Sequence, residues 1–227
     1  MRTISDGGHR ARQQEHAGAV VGSDVQAVQN PARRNLVLVA VSTVVLVTAG
    51  AWFWKTAAVR KEAFASRAVQ AARQAAEQGN LPLAASELQK VTQTYGGTRS
   101  AVEAMLVLNQ VRMVNGQTEL AVVGLKEFIA KNPPMEFRVP AYGLLGVALE
   151  NTKKPLEAAA AYEQASAGAQ VDYLKADYLV QAGRAYNNAG KPDLAIKAYQ
   201  KVVSDYSKSP ALNEAQVRLA ELTKGAS

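Results

Sequence analysis

Charged residues vanish between Asn35 and Trp54, a run of 20 positions filled mainly by Leu, Val and Ala. At about 1.5 Å per residue, such a run in helical form crosses the roughly 30 Å hydrocarbon core of a bilayer. Arg33 and Arg34 bound one end, and Trp52-Phe53-Trp54 followed by Lys55 bounds the other, the arrangement expected of two membrane interfaces. The pattern predicts a transmembrane helix over 35–54. Ala49-Gly50-Ala51 also fits a small-x-small cleavage site, but the long segment before it and the length of the run argue for a retained anchor. Residues 1–34 are polar, carry five Arg against three acids, and show no periodicity, which predicts a disordered tail.

Beyond Trp54 the apolar spacing changes to three and four, the period of a helix with one buried face. The pattern then repeats every 37 residues without insertion or deletion. Ala84, Ala121, Ala158 and Ala195 fall in register, followed four positions later by Leu88, Leu125, Tyr162 and Tyr199. Twelve positions before each alanine stand Ala72, Asn109, Gly146 and Gly183; five before it stand Gly79, Gly116, Lys153 and Gly190. Each copy reads as two helices. A glycine closes the first, and a proline opens the second where Lys154-Pro155 and Lys191-Pro192 occur. The small residues predict close helix crossings, at Gly146 and Gly183 above all. The domain plan is a tail (1–34), a span (35–54), the start of a juxtamembrane helix (55–64), four repeats (65–212) and a capping helix with tail (211–227). The fold class is all-α: a single transmembrane helix, then an α-solenoid of about four helix pairs and a C-terminal cap.

Composition removes most catalytic chemistry. Cys is absent, so there is no disulfide framework, thiolate nucleophile or thiolate metal site. The two histidines, His9 and His16, both precede the apolar run, so no His-containing triad or His metal site can form in the repeats. The carboxylates are scattered over helix phases and form no acid/base couple. We therefore expect no enzyme activity, no cofactor and no metal. The net charge is +7, but beyond residue 54 the signs are interspersed and lack interleaved aromatics, which argues against nucleic acid. Lys55, Arg60 and Lys61 suit lipid headgroups. Two basic residues lie within 20 positions before the span and five after it, so counting alone favours the C-terminal part inside; a long domain weakens that rule.

Gly183, Tyr186, Gly190, Ala195 and Tyr199 resemble the tetratricopeptide pattern, as do Gly146, Ala158, Tyr162 and Ala165 one copy earlier. The repeat here is 37 residues against the family's usual 34 or so, and the consensus tryptophan is missing from every copy. The resemblance implies a protein-binding superhelix whose concave face is lined by the first helix of each pair. By register that face takes Val69 and Arg73, then Leu106, Gln110 and Met113, then Leu144, Val147 and Glu150. Asp177, Val180, Arg184, Asn187 and Asn188 complete it. The expected groove is apolar in the middle and polar at one end.

The whole plan is similar to the membrane-anchored repeat proteins that serve as ancillary subunits of the bacterial Sec translocon. A weaker similarity, over Tyr199–Leu222, is to Tol-Pal cell-division coordinators and outer-membrane assembly lipoproteins. The first resemblance implies an inner-membrane protein with a cytoplasmic N-terminus and periplasmic repeats. It implies an adaptor or chaperone with translocon components and exported clients as partners. The second implies an envelope scaffold.

Overall fold

The computed structural model describes residues 31–224, so the expectations for residues 1–30, with His9 and His16, lie outside it. The chain divides into two units, residues 1–59 and 60–227. Nine helices and no strand occur among the described residues. The first helix, α1, runs from Pro31 to Glu77. It begins four residues before Asn35, and no proline follows Pro31 to break it. Within the first unit its apolar side chains are exposed, Leu46 by 72% and Trp54 by 80%. It is one helix long and apolar enough to cross a membrane by length and composition. Its few hydroxyls are satisfied internally: Ser42, Thr43 and Thr48 each donate to the carbonyl one turn back, at Leu38, Val39 and Val44. Polar hydrogens consumed in this way are compatible with hydrocarbon surroundings.

The second unit is a series of helix pairs. From Arg60 onward, α1 pairs with α2 (Leu81–Thr94). Then come α3 (Arg99–Val114) with α4 (Thr118–Ala130), and α5 (Met135–Asn151) with α6 (Pro155–Gly168). The last pair is α7 (Asp172–Asn188) with α8 (Pro192–Asp205), closed by α9 (Leu212–Lys224). Four pairs and a cap are the expected architecture. The four register alanines, Ala84, Ala121, Ala158 and Ala195, are all fully buried. The core falls into two clusters. One joins α1, α2 and α3 around Val69, Leu88 and Val91. The other runs from α4 to α9 around Leu125, Tyr162 and Tyr199.

The turn inside each pair is the same hydrogen-bonded device four times over. Asn80, Gln117, Lys154 and Lys191 each donate their N–H to a carbonyl five residues back, at Ala75, Arg112, Leu149 and Tyr186. The residue before each donor is left-handed: Gly79 (φ 81°), Gly116 (76°), Lys153 (58°) and Gly190 (67°). This is the glycine-capped helix end that satisfies orphan carbonyls. Lys153 accepts that geometry without glycine's freedom.

Between pairs, carboxylates tie one repeat to the next. Glu62 of α1 accepts from the backbone N–H of Arg99 (2.8 Å) and Ser100 (2.9 Å), and from the Ser100 hydroxyl. Thr98 adds its own hydroxyl oxygen as acceptor for the Ala101 N–H. Three of the otherwise unpaired donors at the start of α3 are thereby met.

Candidate protein-binding groove

The groove residues inferred from the repeat register do not all face solvent. Val69 is 1% exposed and Val180 is 4% exposed; both belong to the core. The register puts them on the inner helix, but each points between helices rather than out of the groove. Leu106, Met113 and Leu144 are half-buried and packed against the core cluster. Gln110 and Val147 are exposed. Arg73 pairs with Glu103 at 2.5 Å, while its Nε is buried without a partner. Asp177 is exposed and accepts from Gln181 at 2.8 Å.

At the other end lies a polar cluster on which two helix pairs and the capping helix converge. Tyr162, fully buried at its ring, donates its hydroxyl to Glu150 Oε2 at 2.7 Å. Arg184 Nη2 stands 3.6 Å from that same oxygen. Burial, and then the Glu150 carboxylate, push the Tyr162 phenol far above its ordinary range, so it stays a donor. Glu150 is thus held in one place and Arg184 is aimed by it. Beside them Arg184, Asn187, Asn188, Tyr199, Arg218 and Glu221 surround a cavity of about 240 Å³. Asn187 and Asn188 offer amides that both donate and accept, and two guanidinium groups face the same space. Arg218 is itself paired with Glu221 at 3.1 Å, so the cavity presents exposed amides and two guanidinium groups beside one carboxylate.

A second concavity was not legible as a site in the sequence. Pro134, Met135, Val139, Pro140, Leu174 and Tyr178 wall a cavity of about 670 Å³ between the starts of α5 and α7. The ring of Tyr178 lies on Gly143, where a β-carbon would fall 2.8 Å from Cε1. The signal was present: Pro140 and Gly143 stand one repeat before Asp177 and Val180, positions already placed in the groove register.

No group of three or more His, Cys, Asp or Glu side chains suited to a metal occurs among the described residues. The tetratricopeptide repeat-like domain family matches residues 32–224.

The chain belongs to the tetratricopeptide repeat-like domain family.

Solved structures agree in fold. The nearly identical TPR-like repeats of Podosopora anserina superpose with a TM-score of 0.58 at 21% identity, covering 70% of this chain and 87% of theirs. Crystallised MamA superposes with a TM-score of 0.54 at 24% identity, covering 68% of this chain and 84% of its own. At such identities the likeness establishes the fold alone. No curated protein matches the chain. Domains of this tetratricopeptide type are generally modules for protein–protein interaction. The missing consensus tryptophan and the three-residue longer period leave the Gly–Tyr and Ala contacts of the repeat intact.

Proposed function

We propose that this protein is a membrane-anchored adaptor whose repeat groove holds extended segments of exported proteins near the secretion translocon. The supporting observation is a series of apolar side chains on successive first helices, the half-buried Leu106 and Leu144 and the exposed Val147, with the polar residues Arg184, Asn187 and Asn188 gathered round a cavity on the next first helix. An extended segment binds such a surface by inserting apolar side chains while its backbone or a carboxylate is held at one end. The anchor reading, Leu36 to Trp54, draws on the exposed apolar face of α1 and its interface-type flanks. The translocon and the periplasmic placement of the repeats rest on the resemblance of the whole plan, from tail to cap.

The test is site-specific photocrosslinking at Val147 and Asn188 in native membranes, with the adducts identified by mass spectrometry. Translocon subunits and exported clients are the expected partners. Adducts made chiefly of cell-division or outer-membrane assembly proteins would replace this reading with an envelope scaffold. Soluble cytosolic enzymes as the sole partners would contradict both.

A further inference from the structure

The capping helix α9 buries less than any other helix of the second unit. Of its side chains Ala215 alone is fully buried, with Leu219 and Leu222 half-buried against the same core cluster. The helix it packs on, α8, buries Ala195, Ala198, Tyr199 and Val202. Even α2, the next sparsest, buries Ala84, Leu88 and Val91. Apolar burial is the main force that docks one helix on another, so α9 is the least firmly docked of them.

Polar contacts do not make up the difference. Arg218 pairs with Glu214 at 4.0 Å and with Glu221 at 3.1 Å, and all three belong to α9. The Thr223 hydroxyl donates to the Leu219 carbonyl at 2.9 Å, again within the helix. The link before α9 is closed on itself: the Ser209 N–H donates to the Tyr206 carbonyl and the Leu212 N–H to the Ser209 carbonyl. Among the described residues no side-chain hydrogen bond or ion pair joins α9 to another helix. Earlier in the solenoid such bonds do cross between helices. Tyr162 donates to Glu150, Lys126 pairs with Glu157 at 2.9 Å, and the Ser166 hydroxyl donates to the Lys175 carbonyl at 2.9 Å.

This weakly held helix forms one wall of the polar cavity. Arg184, Asn187, Asn188 and Tyr199 line the cavity from α7 and α8, and Arg218, Glu221 and Leu222 line it from α9. At about 240 Å³ the space falls below the usual range of ligand pockets, roughly 300–1,000 Å³. With α9 in place, Glu221 also sets a carboxylate of the chain's own among the donors that a bound segment would meet.

We infer that α9 is a dissociable lid on the polar end of the groove. Docked, it walls the cavity and keeps Glu221 inside it. Undocked, it carries Arg218, Glu221 and Leu222 away and leaves Arg184, Asn187, Asn188 and Tyr199 open to a bound segment. The hinge is the link 206–211, where Ser209 and Pro210 interrupt the helical pattern. Elements that open without the rest of a fold are those with few buried contacts. Affinity at this end is lowered in proportion to the fraction of molecules whose lid is open. This inference rests on the groove reading and adds its regulation.

Hydrogen exchange of the full-length chain in detergent, read by mass spectrometry, tests the lid without any partner or variant. Backbone amides of 215–223 are expected to exchange at least about a hundredfold faster than those of 195–202 in α8. Equal rates mean that α9 opens only with the whole fold, which overturns the inference. Leu219→Asp, at a half-buried lid position, is expected to leave the protection of α8 unchanged. A fluorescein-labelled peptide of residues 209–224 is expected to bind that variant at least about tenfold more tightly than the parent, whose own helix occupies the site. Photocrosslinking from Asn188 in native membranes is expected to rise at least about threefold in the variant, with capture from Val147 unchanged. Loss of α8 protection in the variant, equal peptide binding, or unchanged capture from Asn188 overturns the lid. Capture from Val147 alongside any of these failures leaves the groove standing, whereas capture from neither position in either chain overturns both.

Discussion

Tyr199 rests on Gly183: a β-carbon on the glycine would lie 2.6 Å from the ring's Cε1, closer than real contacts allow. Tyr162 rests on Gly146 in the same way one repeat earlier. Where the first helix carries Ala72, the second carries the aliphatic and smaller Leu88, so the pair conserves volume rather than residue type. Gly183→Leu therefore overfills the crossing, and a loss of about 1–3 kcal/mol is expected. The melting temperature should fall by about 2–4 °C for each kcal/mol. A Gly146→Ala change should also destabilise, and Tyr162→Leu in the same chain should restore part of the loss, as a double-mutant cycle would register. Independent, additive losses would show that the two positions do not share one space.

Lys153 is the one member of the four left-handed caps that is not glycine. Lys153→Gly relieves the steric cost of that conformation at the expense of a more flexible unfolded chain. The balance is a gain of about 1 kcal/mol. Denaturant unfolding of the two chains measures it, and a loss of stability would mean that the Lys153 side chain supplies a contact of its own.

Glu62 links α1 to the start of α3, and hydrogen bonding from Ser100 first, then from the backbone N–H groups of Ser100 and Arg99, lowers its pKa. Because the folded value is depressed, this contribution is complete above the unfolded value near 4.5 and fades as pH falls through the lower, folded value. Glu62→Ala should cost about 1 kcal/mol at pH 7, typical of a lost helix cap. The variant and the parent should converge in melting temperature as pH drops from 5 toward 3. Parallel curves over that range would remove Glu62 as a cap.

A reporter fused after Ser227 tests the orientation. Periplasmic activity is expected, against the raw count of basic residues on either side of the span. Activity confined to the cytosol would reverse the topology.

Much of this architecture was legible because the repeat is carried by residues with few substitutes. Ala84, Ala121, Ala158 and Ala195 can occupy a close crossing, and the glycine caps need a positive φ; both leave marks at fixed spacing. The burial of Val69 and Val180 was not legible, because a rotation of a fraction of a turn separates a groove residue from a core residue. The Tyr178 cavity was hidden for a different reason. It arises where one copy departs from the period, with a ring in place of Ala104 and Ala141, and a repeat alignment averages such departures away. The anchoring of Arg184 by Glu150, and of Glu150 by Tyr162, joins three residues far apart in sequence and follows only from the packed pairs.

The groove claim is tested most directly by the affinity of the captured partner for variants that leave the fold alone. Leu144 is packed against the core, so the apolar middle is probed instead at Val147, which is 37% exposed. Val147→Asp places an unpaired charge there, and Arg184→Ala removes a charge-assisted donor at the polar end. The account predicts partner binding weakened by about 1–2 kcal/mol for Arg184→Ala and by more for Val147→Asp. Leu120→Asp, at an exposed position on the second helix of its pair, should bind as the parent does. Undiminished binding by both groove variants, or a larger loss from Leu120→Asp, would contradict it.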